Sequence, residues 1–464
     1  MTMYRPDLGA RGGPRYRALA QTIIEDIEAG RLADGHRLPP QRDLAVELGV
    51  TIGTISRAYA LVERQGLVSA EVGRGTFVRR PPPPPARTVA SAASASASDL
   101  IDLTINRPAD RTCYREALKA TLAGLDLDLD HDLLDYAPRA GSAQHRRAAA
   151  DWLVRSGVGV DPAHVILTGG AHQAIVVALA ALVRPGEPLL AESLTYPGVR
   201  GMAASLHLRV EAVPLDEGGL RPDALEAACR QTGGRVLFVN PTLHNPTTAT
   251  LSDARRRAIV EIARRHDLVI IEDDVYGLLK EQRPASFFSL APERTVHISS
   301  ASKALAPGLR LGLLAAPDRL QARLADVKYD LMLSGAPLPA EIFRIWVADG
   351  TADRLLERQR RAARARQVLA GEVLGRHEPR TDPAAFHLWL PLPAPWRTSD
   401  FAAAAAADGF AVAPGHAFAT GRSHAPHAVR VSLSAPSDDA ALVRALRGIA
   451  RLLDRPPEPR RGLI

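Results

Sequence analysis

Only two cysteines occur in the chain, Cys113 and Cys229, far apart and in no CxxC pair. That scarcity excludes a disulfide framework, leaves no cysteine zinc site, and fits a reducing compartment. No metal is expected. Met1–Gly13 lacks an apolar core, so no secretory signal is visible. The longest apolar run, Ala174–Val183, is about half of a membrane span. A cytoplasmic protein without a membrane partner is therefore expected. Lysine is also scarce: Lys119, Lys280, Lys303 and Lys328 stand against 54 Arg. Where only a positive charge is needed, this chain uses Arg. A Lys in a special context then points to amine chemistry, because a guanidinium does not form a Schiff base.

What is present suits a long, ordinary globular chain. Its 464 residues, 46% apolar and 23% charged, are enough for two or three domains with large cores. The net charge of +7 is unevenly spread: residues 1–80 hold 12 Arg against 9 acidic residues, a surplus of 3 in less than a fifth of the chain. Denser positive charge suits a phosphate-facing module.

The pattern along the chain changes twice. Tyr16–Gly30 carries Leu19, Ile23, Ile24 and Ile27 at helical spacing. A short helix is expected from Pro40 to Leu48, broken by Gly49. A third follows from Thr51, with Ile52, Ile55, Tyr59 and Val62 on one face. Two strand-like pieces, Leu67–Val72 and Thr76–Arg79, flank Gly73-Arg74-Gly75. Three helices and a Gly-tipped hairpin make a winged helix-turn-helix over 1–80. Pro81–Pro85 then predicts a stiff spacer of roughly 15 Å, and Ala86–Ser98 a coil reaching roughly 20 Å. Residues 81–98 therefore read as a linker.

From residue 99 short apolar runs alternate with helical stretches. The runs are His164–Thr168, Leu189–Glu192, Val210–Pro214, Val236–Asn240, Leu268–Glu272, Val296–Ser299 and Leu311–Ala315, and the helices include Ala171–Val183 and Ser252–His266. That order predicts an α/β domain over 99–330 around a largely parallel sheet. A smaller α+β lobe is expected over 331–464, behind a long Arg-rich helix.

The most informative segment is Ser300-Ala301-Ser302-Lys303-Ala304-Leu305-Ala306-Pro307-Gly308-Leu309-Arg310. It follows an apolar strand, so Lys303 lies at a strand end, where α/β folds place chemistry. A desolvated Lys there can form an imine with an aldehyde cofactor. Hydroxyls at Ser300 and Ser302, with the Arg310 guanidinium, suit a phosphate ester. Alone, such a Lys is far more often an exposed loop residue. The flanking pattern favours chemistry.

This segment resembles the Schiff-base segment of fold-type-I pyridoxal phosphate enzymes, and Tyr16 to Pro436 is similar to the MocR subfamily of GntR-type regulators. The resemblance implies a type I transferase body holding pyridoxal 5'-phosphate as an internal aldimine on Lys303. In Ile270–Tyr276 it implies Asp273 under the ring nitrogen and Tyr276 on the phenolic oxygen. In Asn240–Thr248 it implies Asn245 as the second donor to that oxygen, with Thr248 standing where Gly is usual. Backbone groups of Gly170, Ala171 and His172, at a helix start, would take the phosphate. Tyr196 matches the ring-stacking aromatic. Tyr136 matches a tyrosine that reaches the partner subunit's phosphate, which implies a homodimer. Arg430 resembles the arginine that grips a substrate carboxylate, so an amino acid or related amino compound is the expected effector.

For a double-stranded DNA operator, the second helix offers Arg42 and the third presents Thr51, Thr54 and Arg57 opposite its apolar face, with Arg74 at the wing tip. Short polar side chains with an Arg one turn on suit groove and phosphate contacts. The expected function is a transcription regulator that senses pyridoxal phosphate or an amine reacting with it. Two alternatives stay open: a working aminotransferase carrying a DNA-binding head, and an effector-binding regulator without the cofactor.

Overall fold

The computed structural model describes residues 4, 6, 14–28, 31–32, 36–64, 67–71, 75–78, 100–110, 112–125, 133–421, 423 and 425–455. It divides into two compact units, Met1–Ala97 and Ser98–Ile464. Residues 81–98, expected to be a linker, and Arg74 lie outside the described residues.

In the first unit, α1 (Arg15–Glu28), α2 (Gln41–Leu48) and α3 (Ile52–Arg64) precede a hairpin of β1 (Val68–Glu71) and β2 (Gly75–Val78). Gly49 ends α2 at φ 60, a left-handed position, and its N–H returns to Ala45 O and Val46 O. Gly is suited to this cap because a side chain would be strained there. The helices α2 and α3 then meet at 117°, a helix-turn-helix angle. Leu19, Ile23 and Ile27 of α1 bury against Leu44, Ile55, Tyr59 and Val62. Each such side chain contributes about 2 kcal/mol of burial. Ile52 departs from expectation: it opens α3 and stays 49% exposed. No single helix among the described residues is long and apolar enough to cross a membrane.

The second unit is built on a seven-stranded sheet. Its strands are β3 (Val165–Thr168), β4 (Pro188–Glu192), β5 (Arg209–Val213), β6 (Val236–Val239), β7 (Val269–Asp273), β8 (Thr295–Ser300) and β9 (Gly312–Ala315), in spatial order β3-β9-β8-β7-β6-β4-β5. All neighbours are parallel except β9, which runs antiparallel to both β8 and β3. The seven apolar runs are these seven strands. Continuous apolarity reflects burial on both faces. Within β6, Leu237 and Val239 pack with Ile259 and Ala263 of α5 (Asp253–Arg265). Phe238 packs oppositely, with Ile175 and Ala178 of α4 (Ala171–Leu182).

A short helix α6 (Ala301–Ala304) follows β8 directly, and the 24-residue α7 (Thr351–Leu374) is the Arg-rich helix. Beyond it, β10 (His387–Pro391), β11 (Ala413–Pro414) and β12 (Ala428–Ser432) form an antiparallel sheet ordered β10-β12-β11. Leu388, Leu390, Val429 and Val431 pack there against Ala370 and Leu374 of α7 and Leu442, Leu446 and Ile449 of α8 (Asp439–Leu453).

Candidate functional site

The chemistry-bearing residues gather at the carboxyl ends of the central strands, as open α/β sheets dictate. Asp273 is the last residue of β7, Lys303 lies in α6 just past β8, and Gly170 sits between β3 and α4. Asn240 and Asn245 follow β6, and Tyr196 follows β4. Arg430 joins them from β12, where it is the third residue of five.

Strand alternation assigns different work to three consecutive acids. Glu272 turns into the core. There it accepts from Phe287 N at 2.8 Å and Phe288 N at 3.1 Å and lies 2.9 Å from His297 Nδ1. Burial would push this carboxyl up, but His297 and then Arg256 hold it below its ordinary range. Asp274 accepts from Arg283 Nη1 at 2.7 Å. One oxygen of each, Asp273 Oδ1 and Asp274 Oδ1, is buried without a hydrogen-bond partner in the structure, but only Asp274 has an arginine on its other oxygen. Burial first, then Asp274 and Glu192, push the Asp273 carboxyl up to about 7, against the Val275 N–H and Lys303. Asn240 steadies this strand end by donating to Asp273 O at 2.6 Å.

Lys303 Nζ donates to the backbone oxygen of Asn106 at 2.6 Å and lies 5.7 Å from the centre of the Tyr276 ring. Burial lowers its amine to about 8, and the positive field of Arg430 adds to that more strongly than Asp273 opposes it. Near neutral pH a useful fraction is therefore the nucleophilic free base. Tyr276, buried and pushed up to about 12, keeps its proton.

Arg430 donates to Asn245 Oδ1 at 2.7 Å and to Thr104 O, while its Nε makes no hydrogen bond in the structure. With Oδ1 so occupied, the Asn245 amide has its NH₂ to offer. The turn that carries it holds despite the missing Gly. Thr248 takes φ 64, and its N–H reaches His244 O at 2.7 Å.

The phosphate candidates converge around Gly170. At φ 101 it caps α4, and a side chain there would come within 2.6 Å of Arg310 Nη2. Arg310 itself donates to Gly169 O at 3.1 Å. Ser300 Oγ donates to Leu311 O and lies 3.0 Å from Ser302 Oγ. Ala171 opens the helix, and His172 Nδ1 lies 3.1 Å from the Tyr196 hydroxyl. Tyr136 stands apart from this cluster, 77% exposed. Of the DNA candidates, Arg42, Thr51 and Arg57 are exposed and Thr54 half-buried; Thr51 Oγ1 and Thr54 Oγ1 lie 3.0 Å apart at the start of α3. Among the described residues no group of three or more His, Cys, Asp or Glu is placed to hold a metal.

Sequence reasoning missed Asn106 and His387. Asn106 Nδ2 donates to the Tyr276 hydroxyl and to His387 Nδ1, both at 2.9 Å. Neither residue lies in a glycine-rich segment or at the carboxyl end of a strand of the seven-stranded sheet, so no local signal marked them.

Residues 98–449 match the family of aminotransferases class I and II, and residues 15–78 match bacterial regulatory proteins of the gntR family. YdeF of Bacillus subtilis (strain 168), an HTH-type transcriptional regulator, is 32% identical over 97% of this chain and 97% of its own. The HTH-type transcriptional regulator TauR of Rhodobacter capsulatus is 27% identical over 95% and 98%. LysN, the α-aminoadipate aminotransferase of Thermus thermophilus, solved with N-(5'-phosphopyridoxyl)-L-leucine, superposes with a TM-score of 0.69. It shares 26% identity and covers 77% of this chain and 92% of that one. Aspartate aminotransferase from Thermus thermophilus gives 0.66 and 26%, covering 76% and 92%. With a gntR-type head, an aminotransferase class I and II body and a relative matched over nearly its whole length, the chain belongs to the MocR subfamily of GntR-type transcription regulators.

Proposed function

We propose that this regulator binds pyridoxal 5'-phosphate at Lys303 and reads an amino compound through it. The observation that carries this reading is the pairing of Asp273, a buried carboxyl with an unpartnered oxygen, with Lys303, a buried amine lowered to about 8. A protonated pyridine nitrogen is what Asp273 lacks, so the residues present fit the cofactor. Asp273 would hold the proton on that nitrogen. Tyr276 and Asn245 would donate to the phenolic oxygen, and Tyr196 would stack on the ring. The N–H groups of Gly170, Ala171 and His172, with Ser300, Ser302 and Arg310, would hold the phosphate. Tyr136, so exposed in one chain, would reach the phosphate of a second copy in a homodimer.

When bound, pyridoxal phosphate supplies an aldehyde carbon on which an incoming amine can replace Lys303. Arg430, with its unused Nε donor, would grip a carboxylate of that amino compound. Released, Lys303 Nζ has Asn106 O as an acceptor. This change in contacts biases the body between two arrangements, and so how the heads meet two half-sites on an operator in the cytoplasm. Arg42, Thr51, Thr54, Arg57 and Arg74 would form the DNA face.

The test is an absorbance spectrum of wild type and Lys303→Ala after pyridoxal phosphate is added and the excess removed. A visible band in wild type alone supports the reading; no band in either refutes it. Operator duplexes selected from a random library then report whether amines change affinity at fixed salt. A working aminotransferase is the second reading, favoured by the free-base fraction of Lys303. Sustained turnover of an amino donor with a keto acid would support it.

A further inference from the structure

Asn106 belongs to a chain of hydrogen bonds whose polarity is set at one end. His244 O, a backbone carbonyl that only accepts, lies 3.2 Å from His387 Nε2. His387 must therefore carry a proton on Nε2. Burial, then Arg430, with His244 and Lys303 adding to it, keep the ring neutral by holding it well below the ordinary histidine range, although the bond to His244 O opposes this. A neutral ring protonated on Nε2 offers a lone pair at Nδ1, 2.9 Å from the Asn106 amide. An amide oxygen set there would face that lone pair, so Asn106 turns its NH₂ toward the ring. The same NH₂ then donates to the Tyr276 hydroxyl, 2.9 Å away.

The cost of this orientation is visible. Asn106 Oδ1 is buried and has no hydrogen-bond partner in the structure. Turned over, the amide could accept the Tyr276 proton on that oxygen. His387 blocks the turn. Tyr276 is held as an acceptor, and among the described residues no group takes its proton. Asp273 on β7, Lys303 on α6, Arg430 on β12 and Tyr196 all face Tyr276 electrostatically, yet none hydrogen-bonds to its hydroxyl.

We propose that His387 is a positioning residue that acts through Asn106 to commit the Tyr276 proton to the phenolic oxygen of bound pyridoxal phosphate. This rests on the cofactor reading above. A donor on that oxygen draws negative charge away from the neighbouring Lys303 nitrogen, which then loses its proton at lower pH.

The test is a pH titration of the visible band of the cofactor-loaded, full-length protein. His387→Leu should raise the midpoint by roughly one pH unit, the order of one hydrogen bond to a charged group. Tyr276→Phe should raise it similarly, and the double variant no further than Tyr276→Phe alone. His387→Gln should restore the wild-type midpoint, since its amide can accept from Asn106 and donate to His244 O. An unshifted His387→Leu, or shifts that add fully, would overturn the proposal. A wild type with no visible band would instead overturn the cofactor reading. The relay is then judged in the cofactor-free protein by NMR with ¹⁵N-labelled histidine rings, identifying His387 by the resonance lost in His387→Gln. A neutral ring protonated on Nε2 near pH 7 is expected; protonation on Nδ1 overturns the relay.

Discussion

Replacing Asp273 with Asn should stabilise the cofactor-free protein, and by more as pH rises. The carboxyl is nine-tenths buried and raised from 3.8 to about 7, chiefly by burial. The folded protein therefore binds this proton more tightly than the unfolded chain does. Its contribution is full below about pH 4 and is lost as pH climbs through 7. About three pH units at 1.36 kcal/mol each set a ceiling of about 4 kcal/mol. Between about pH 5.5 and pH 8 the wild type should lose about 2 kcal/mol relative to the neutral, isosteric Asn variant. Thermal unfolding of both proteins without cofactor, at one scan rate and at both pH values, measures this. The Asn variant should melt higher, with the gap wider by a few degrees at the higher pH. Saturating pyridoxal phosphate should narrow or reverse the gap, because a protonated ring nitrogen supplies the charge Asp273 lacks. A gap independent of pH, or an Asn variant less stable at both pH values, would refute the reasoning.

Gly170→Ala places a methyl within 2.6 Å of Arg310 Nη2 at a φ of 101; equilibrium dialysis should show pyridoxal phosphate affinity weakened roughly tenfold or more, about one charge-assisted bond. Thr248→Gly relieves a β-branched residue held at φ 64. Strain of roughly 1–2 kcal/mol set against glycine's entropy should leave the variant as stable as wild type or about 1 kcal/mol more stable in urea unfolding. Arg57→Ala removes an exposed cation from α3; operator binding titrated against salt should lose about one from its log–log slope if Arg57 meets a phosphate.

Strand existence was legible in the second unit because burial on both faces favours unbroken apolar runs such as Val165–Leu167 and Val236–Val239. Direction was less so. Gly312–Ala315 is as apolar as its neighbours yet runs antiparallel, and composition carries no sign of direction. In the head, helical spacing placed Ile52 with Ile55 and Tyr59. Periodicity reports the face a residue occupies, but not whether a neighbour covers that face at the helix's first turn, and Ile52 stays exposed. Thr248 shows the reverse case. Gly is usual at this place in the turn, but the fold imposes a left-handed threonine there and anchors it through His244 O.

Legibility of the site divides by whether a residue's task depends on its own strand. Glu272, Asp273 and Asp274 are indistinguishable by type, and alternation alone says that the first and third face one way and the second the other. Their different work follows from neighbours distant in sequence: Phe287 and His297 for Glu272, Arg283 for Asp274, and no bonded cation for Asp273. Lys303 was found because it sits in a segment whose every feature, strand end, hydroxyls and arginine, is local. Asn106 and His387 have no such frame. Asn106 lies 170 residues from Tyr276 and 281 from His387, and its importance comes from holding a bond to each together with Lys303. A hub of that kind exists only once the chain has folded, because each bond alone is ordinary and the directionality comes from all three meeting on one residue.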